Sequence, residues 1–353
     1  MTSRQRFLDA VRHREPDRVP LCMDAEKEVW EALKKALKVP SKEKVYDALE
    51  IDEWMLDPKV TDPRAKQVSP SDRVSQWGYH VKLIPTEYGS YGDICEFPLK
   101  DAQTIEDLEK YDWPDPKKVH FLHWRDKMKE MGDRAFIGHF THGPYFNCTF
   151  LRGIEAYLMD MAMNPPFAKR MMDLAEEYIQ AVLDRLLEQA GDALDVYYIA
   201  DDFCQSGGPL FSPSLWREWV KPYLTRLASK VHQKGVKFMI HVCGSVREYL
   251  PDLIEAGVDI LEPVQSTARG MALEGLKKDF GKDITFYGSI DTHHVLPKGT
   301  RQEVEDAVKR TIDIMAPGGG FVLGPAHTYI QPDTPAENII TMYRTAAEYG
   351  KKH

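Results

Sequence analysis

The feature that most constrains this chain is a rhythm that begins near residue 130. Short apolar runs alternate with helix-length segments: 135–140 before 150–190, 195–200 before 213–233, 236–242 before 245–256, 259–264 before 271–280, 284–290 before 301–315, and 320–326 before 334–348. Strands separated by a helix pair parallel, because an antiparallel neighbour needs only a tight turn. The alternation therefore predicts βαβ units. These six pairs, an early strand at Arg18–Met23 and one more strand within 50–100 make seven or eight parallel strands. The fold expected is an α/β (β/α)8 barrel, a TIM barrel. An open doubly wound sheet is disfavoured, since no GxGxxG loop follows the first strand.

The N-terminal part breaks this rhythm. Ser3–His13, Glu26–Leu37 and Lys42–Leu49 carry helical spacing. From residue 51 the texture changes, with Pro58, Pro63, Pro70 and Pro85 punctuating short aromatic runs. Residues 51 to about 130 are read as an irregular, antiparallel insertion in a single barrel domain spanning 1–353. The charge of −9 argues against a nucleic-acid partner. No apolar stretch reaches the ~18 residues of a membrane span, and the polar start argues against a signal peptide. Five scattered cysteines do not read as a disulfide framework, so a cytoplasmic location is expected.

Chemistry in such a barrel sits at the C-terminal ends of the strands. Here those ends carry His139 and His142, Asp201 and Asp202, His241 and Cys243, Glu262 and Gln265, Asp291 and His293, and His327. His241 and Cys243 are alternate residues and share a face. Imidazole plus thiolate suits Zn²⁺, although the pair also describes a core cysteine beside a hydrogen-bonded histidine. His327 closes the last strand, where a closed barrel turns it toward the same axial space. With it, His241 and Cys243 would make a three-ligand catalytic zinc site with an open fourth position.

Three carboxylates are candidate catalytic groups, each with a structural alternative. Asp202 could receive a substrate or a ligand histidine, or cap a helix. Glu262 could be a fourth ligand, a general base or an arginine's partner. Asp291, in GSIDTHH, could do acid–base work or close a turn. Tyr145, Phe146, Phe203 and Tyr287 lie near strand ends and suggest an apolar-walled substrate pocket, or ordinary packing.

Residues 240–265 (IHVCGSVREYLPDLIEAGVDILEPVQ), 276–300 (LKKDFGKDITFYGSIDTHHVLPKGT) and 318–339 (GGGFVLGPAHTYIQPDTPAENI) resemble the uroporphyrinogen decarboxylase superfamily. Within it, the resemblance is to the branch containing cobalamin-dependent methyltransferases. The opening, TSRQRFLDAVRHREPDRVP, is similar to the start of that branch. True decarboxylases carry an arginine-rich RQAGRYMPE segment that holds substrate carboxylates. The comparable stretch here, VPLCMDAEKEVW, is acidic, so a carboxylate-rich tetrapyrrole would meet an unfavourable field.

The resemblance implies a His-x-Cys pair, His241 and Cys243, and a later third zinc ligand that is usually Cys. His327 stands about where that Cys is expected. His, Cys and His leave bound Zn²⁺ formally at +1 rather than neutral, a stronger Lewis acid suited to an ether or hydroxyl oxygen. The activity implied is zinc-dependent methyl transfer, of O-demethylase type, between a small methylated compound and a corrinoid protein. A methoxylated aromatic is the favoured compound. No DxHxxG loop is present, so methylcobalamin or cob(I)alamin would arrive on a separate partner. A homodimer is kept open as the assembly. The rivals are a metal-free decarboxylase, for which Arg152 and Arg217 are the nearest carboxylate-binding candidates, and a non-catalytic protein that binds the corrinoid partner.

Overall fold

The computed structural model describes residues 1–352. A short helix α1 (Ser3–Val11) opens the chain. Strand β1 (Glu53–Leu56) is followed by β2 (Lys66–Ser69), β3 (Asp72–Val74), β4 (His80–Pro85) and β5 (Ser90–Glu96). The regular part then runs β6 (Ala135–His142), β7 (Val196–Ala200), β8 (Lys237–His241), β9 (Ile260–Glu262), β10 (Thr285–Ile290) and β11 (Phe321–Pro325). All six runs read as strands in the sequence are strands. They join β1 in one parallel sheet of order β11-β10-β9-β8-β7-β6-β1.

Residues 20–22 close this sheet into a barrel. On one edge, Leu323 N–H donates to Pro20 O at 2.8 Å and Cys22 N–H to Leu323 O at 3.0 Å; on the other, Asp52 N–H donates to Leu21 O at 2.9 Å. The early strand expected at Arg18–Met23 therefore occupies its place but forms only one isolated bridge, Leu21 to Leu323. The reason is local. The buried Asp52 carboxylate takes the Leu21 N–H at 2.8 Å, and Arg18 and Arg6 each hold that carboxylate at 2.7 Å. A backbone donor satisfied by a side chain is lost to the ladder.

Alternate residues along a strand face one side, and this parity builds the interior. Ala135, Ile137, Val196, Tyr198, Met239, Ile260, Tyr287 and Val322 form one inner cluster, into which α1 inserts Phe7 and Val11. Two residues further along the same faces come His139, His241 and Glu262. The barrel axis thus changes from apolar to polar toward its C-terminal end.

The segment read as an insertion holds a four-stranded antiparallel sheet, β2-β3-β4-β5. Trp77 anchors it: only 2% exposed, its ring meets Tyr178 edge-on at a centroid distance of 4.8 Å. The β4–β5 turn crosses to the far rim, where a Cβ on Gly89 would lie 3.2 Å from Pro332 Cγ and 3.4 Å from Glu28 Cδ. Arg152 clamps the segment's other end, its Nη1 donating to the carbonyls of Leu99, Lys100 and Ala102 at 2.7–2.8 Å.

Candidate metal centre

His241 ends β8, and the parallel register places it beside Glu262 on β9 and Ala200 on β7. That register explains the contact at the heart of the site: His241 Nδ1 lies 2.5 Å from Glu262 Oε2. Glu262, 1% exposed, also accepts from Tyr198 OH at 3.1 Å and from Thr328 Oγ1 at 2.8 Å. With Nδ1 engaged, Nε2 points to Cys243 Sγ, 3.2 Å away. Asp202, one residue beyond Asp201 after β7, accepts the Cys243 N–H at 2.7 Å and lies 3.6 Å from His241 Nε2. The donor atoms of Asp202, His241 and Cys243 all lie within 4.8 Å of one another.

His327 arrives from the end of β11. Its ring centroid is 6.0 Å from that of His241, with the rings nearly perpendicular, and its side chain hydrogen-bonds Cys243. Its Nδ1 sits between the backbone N (3.2 Å) and O (3.3 Å) of Tyr329, so either ring tautomer finds a partner. The two distant stretches expected to converge do so. The compact donor set, however, uses Asp202, with His327 beside it on the Cys243 side.

The electrostatics follow from burial and pairing. Burial alone would push the His241 imidazole down, but the Glu262 carboxylate, then Cys243 and Asp202, hold it well above its usual value. Burial raises the Cys243 thiol, and the neighbouring His241 and His327 outweigh this and lower it. Glu262 is likewise held below its usual range by His241 against the opposing effect of burial. A histidine whose far nitrogen meets a carboxylate, next to an acidified thiol and a second carboxylate, matches the donor chemistry and outer support of a zinc site. The residues present fit that metal.

The turn after Cys243 depends on glycine. Gly244 has φ +89°, and a Cβ there would stand 2.5 Å from the carbonyl carbon of Gln205. Its N–H is taken by Gln265 Oε1 at 2.8 Å. Gly244→Ala is expected to cost about 1–3 kcal/mol from strain and overpacking. It should also lower metal occupancy, read by urea melts and metal analysis of the same sample.

The other expected site residues separate. Asp201 is fully buried and structural: it accepts the Phe146 N–H at 2.7 Å and bonds Tyr223 OH, and burial pushes its carboxyl up to about 7. Asp291 caps its own turn, accepting from the N–H groups of His293 (2.6 Å) and His294 (3.1 Å). Tyr145 and Phe203 are fully buried on the helix side, Tyr145 against Tyr157 and Phe211, Phe203 against Trp216 and Tyr249. They follow strand ends in sequence, but their chain has already turned into the outer layer. Tyr287 belongs to the barrel's inner cluster but stays near the site, bordering a small cavity with Glu262, His327 and Thr328, and Phe146 packs on His142 at 5.1 Å. Arg152 is paired with Asp160 at 2.8 Å and Arg217 with Asp252 at 2.9 Å. Thr328 and Tyr198 were missed by sequence reasoning; the inward parity shared with Val196 would have pointed to Tyr198.

A parallel eight-stave barrel with a His–Cys–carboxylate cluster at the C-terminal ends of its strands is an enzyme-like architecture. The family model for uroporphyrinogen decarboxylase (URO-D) matches residues 87–349, and the chain belongs to this family. Methylcobamide:CoM methyltransferase MtaA of Methanosarcina barkeri is 26% identical over 211 residues, covering 59% of this chain and 56% of that protein. The match thus spans little more than half of that relative. Uroporphyrinogen decarboxylase of Geobacter sulfurreducens is 24% identical over 289 residues, 79% of this chain and 78% of that one. The solved structure of a methyltransferase from Methanosarcina mazei superposes with a TM-score of 0.68 at 20% identity, covering 99% of both chains. At that identity the likeness is one of fold.

Proposed function

We propose that this chain is a cytoplasmic zinc-dependent methyltransferase that moves a methyl group between a small methylated compound and a corrinoid carried by a separate protein. One observation carries the reading: His241, Cys243 and Asp202 converge at the mouth, with Glu262 behind His241 and His327 beside Cys243. Zinc bound there would supply a Lewis acid for the heteroatom that bears the methyl group. The chain's own residues prepare the place. Glu262 fixes the ring orientation of His241 and directs Nε2 outward, while Tyr198 and Thr328 hold Glu262. Asp202 holds the backbone of Cys243, keeping the sulfur at the mouth.

The methyltransferase relative supports this reading, while the decarboxylase relative keeps the rival in view. The two arginines that the sequence offered as carboxylate grips, Arg152 and Arg217, are both committed to structural ion pairs. The test is incubation of the protein with a cob(I)alamin-loaded corrinoid protein and a panel of methoxyaromatics, methylamines and methanol. Loss of the Co(I) absorbance with at least one donor is the expected result. Unchanged absorbance throughout, with decarboxylation of a porphyrinogen, would transfer the assignment to the rival.

A further inference from the structure

The β4–β5 hairpin, residues 80–96, is attached unlike the rest of the molecule. Val81 is its only buried residue, and Tyr88 and Tyr91 near its tip are more than half exposed. Among the described residues, every hydrogen bond and ion pair it makes stays within the antiparallel segment, 66–96. An element held by so few buried contacts belongs to the low-stability end of a fold, where local opening costs least. Both of its ends are nevertheless fixed. On one side Trp77 packs on Tyr178, Tyr111 OH donates to Trp77 O, and the Tyr79 ring meets Phe150 at 5.3 Å. On the other, Leu99 N–H donates to Leu151 O at 2.9 Å, beside the Arg152 clamp. The tip is held differently: Gly89 rests on the side chains of Pro332 and Glu28, and nothing bonds it there among the described residues.

Its place on the barrel gives this construction a meaning. The fixed ends lie by the end of β6, where Trp77, Tyr79, Val81 and His139 border a cavity of about 280 Å³. The tip lies on the loop that follows His327 and β11. The hairpin thus spans the mouth between the ends of β6 and β11, along one flank of the metal centre. The space beneath it falls just under the range of about 300–1,000 Å³ usual for small-molecule pockets, and has no room for a macrocycle carried on a protein. We infer that the β4–β5 hairpin is a lid, pivoting on Trp77 and Leu99, that rests on Pro332 when shut and lifts from it to let a large reactant reach the metal centre. The shut form admits a small compound, and the open form admits the corrinoid. That the large reactant is a corrinoid protein rests on the proposed function; the hinged hairpin itself does not.

A disulfide staple tests this. Gly89→Cys and Pro332→Cys are combined with Cys95→Ser, which removes the exposed native thiol. Pro332 Cβ is one bond of about 1.5 Å from the Cγ that a Gly89 Cβ would approach to 3.2 Å, so the pair is within disulfide reach. Cys22, Cys148 and Cys204 are buried, which leaves Cys243 of the metal-free protein as the reporter, read by peptide mapping. Oxidised with diamide, the stapled protein should react with a PEG-maleimide at Cys243 at least about tenfold more slowly than the same protein reduced, since the staple removes the open state. Methyl methanethiosulfonate, small enough for the shut mouth, should react equally fast in both. Gly89→Leu, whose side chain wedges the tip off Pro332, should instead speed the PEG-maleimide reaction. A cysteine pair that does not oxidise would show that the tip is not seated on Pro332. Equal PEG-maleimide rates in stapled and reduced protein, or equal slowing of both reagents, would overturn the lid. With a cob(I)alamin-loaded corrinoid protein, methyl transfer should stop on oxidation and return on reduction, and transfer indifferent to the staple would also overturn it. The expected labelling pattern, with no transfer from any donor by the wild type, would keep the lid and defeat the proposed function.

Discussion

Purified without added metal, the His241→Ala protein is expected to carry less than about a tenth of the zinc found in the wild type, and Cys243→Ser to behave alike. Both residues supply donor atoms to the compact cluster, and a three- or four-ligand zinc site does not survive the loss of one strong donor. Glu262→Gln should behave differently. It keeps the shape but withdraws the charge that holds the imidazole, and loss of such outer support typically costs 10–100-fold in metal affinity. Titration with a competing chelator measures that intermediate effect. The pair His327→Ala and Asp202→Ala decides the remaining ligand. Asp202 lies 3.6 Å from His241 Nε2, whereas of the three clustered donors His327 hydrogen-bonds Cys243. Retention of full zinc by both His241→Ala and Cys243→Ser would remove the metal centre from these residues altogether.

The second large effect concerns Glu53, at the start of β1. It is 1% exposed, its Oε1 accepts the Met23 N–H at 3.1 Å, and its Oε2 finds no partner among the described residues. Burial pushes its carboxyl from 4.5 up to about 8. The folded chain therefore keeps a proton that the unfolded chain releases above pH 4.5. Stability attributable to this group falls as pH rises from 4.5 toward 8, by about 1.4 kcal/mol per unit, or about 4–5 kcal/mol across the window. Glu53→Gln removes the titration. Its amide N–H adds an unmet donor whose cost is the same at every pH, so the informative quantity is the slope. The urea midpoint of Glu53→Gln, whatever its offset from wild type at pH 5, should gain on that of wild type steadily as pH rises to 8. Parallel curves over that range would show that the Glu53 carboxyl ionises normally in the folded protein.

Both predictions show where sequence reasoning reaches and where it stops. The barrel was legible because its signal is local and repeated: each βαβ unit announces itself by apolar run, helix and apolar run. The His241–Cys243 pair was legible for the same reason, since alternation on one strand puts the two on one face. Tyr145 and Phe203 were misplaced because proximity to a strand end along the chain does not say on which side of the wall a ring will fall.

Period-two and period-3.6 patterns, readable along the chain, already specify the parallel barrel, its apolar axis and the polar crown where chemistry belongs. Tertiary contact alone chose among the crown's members. Asp202 rather than Asp201 faces the sulfur, because Asp201 is spent on Phe146 N–H and Tyr223. Glu262 stands behind His241 through the β8–β9 register, and Trp77 meets Tyr178 only because the antiparallel sheet folds back on the barrel. Which face a residue presents is set by bonds to its immediate neighbours. Which partner it meets depends on closure between residues up to about three hundred positions apart, as between Cys22 and Leu323, and no local pattern encodes that distance.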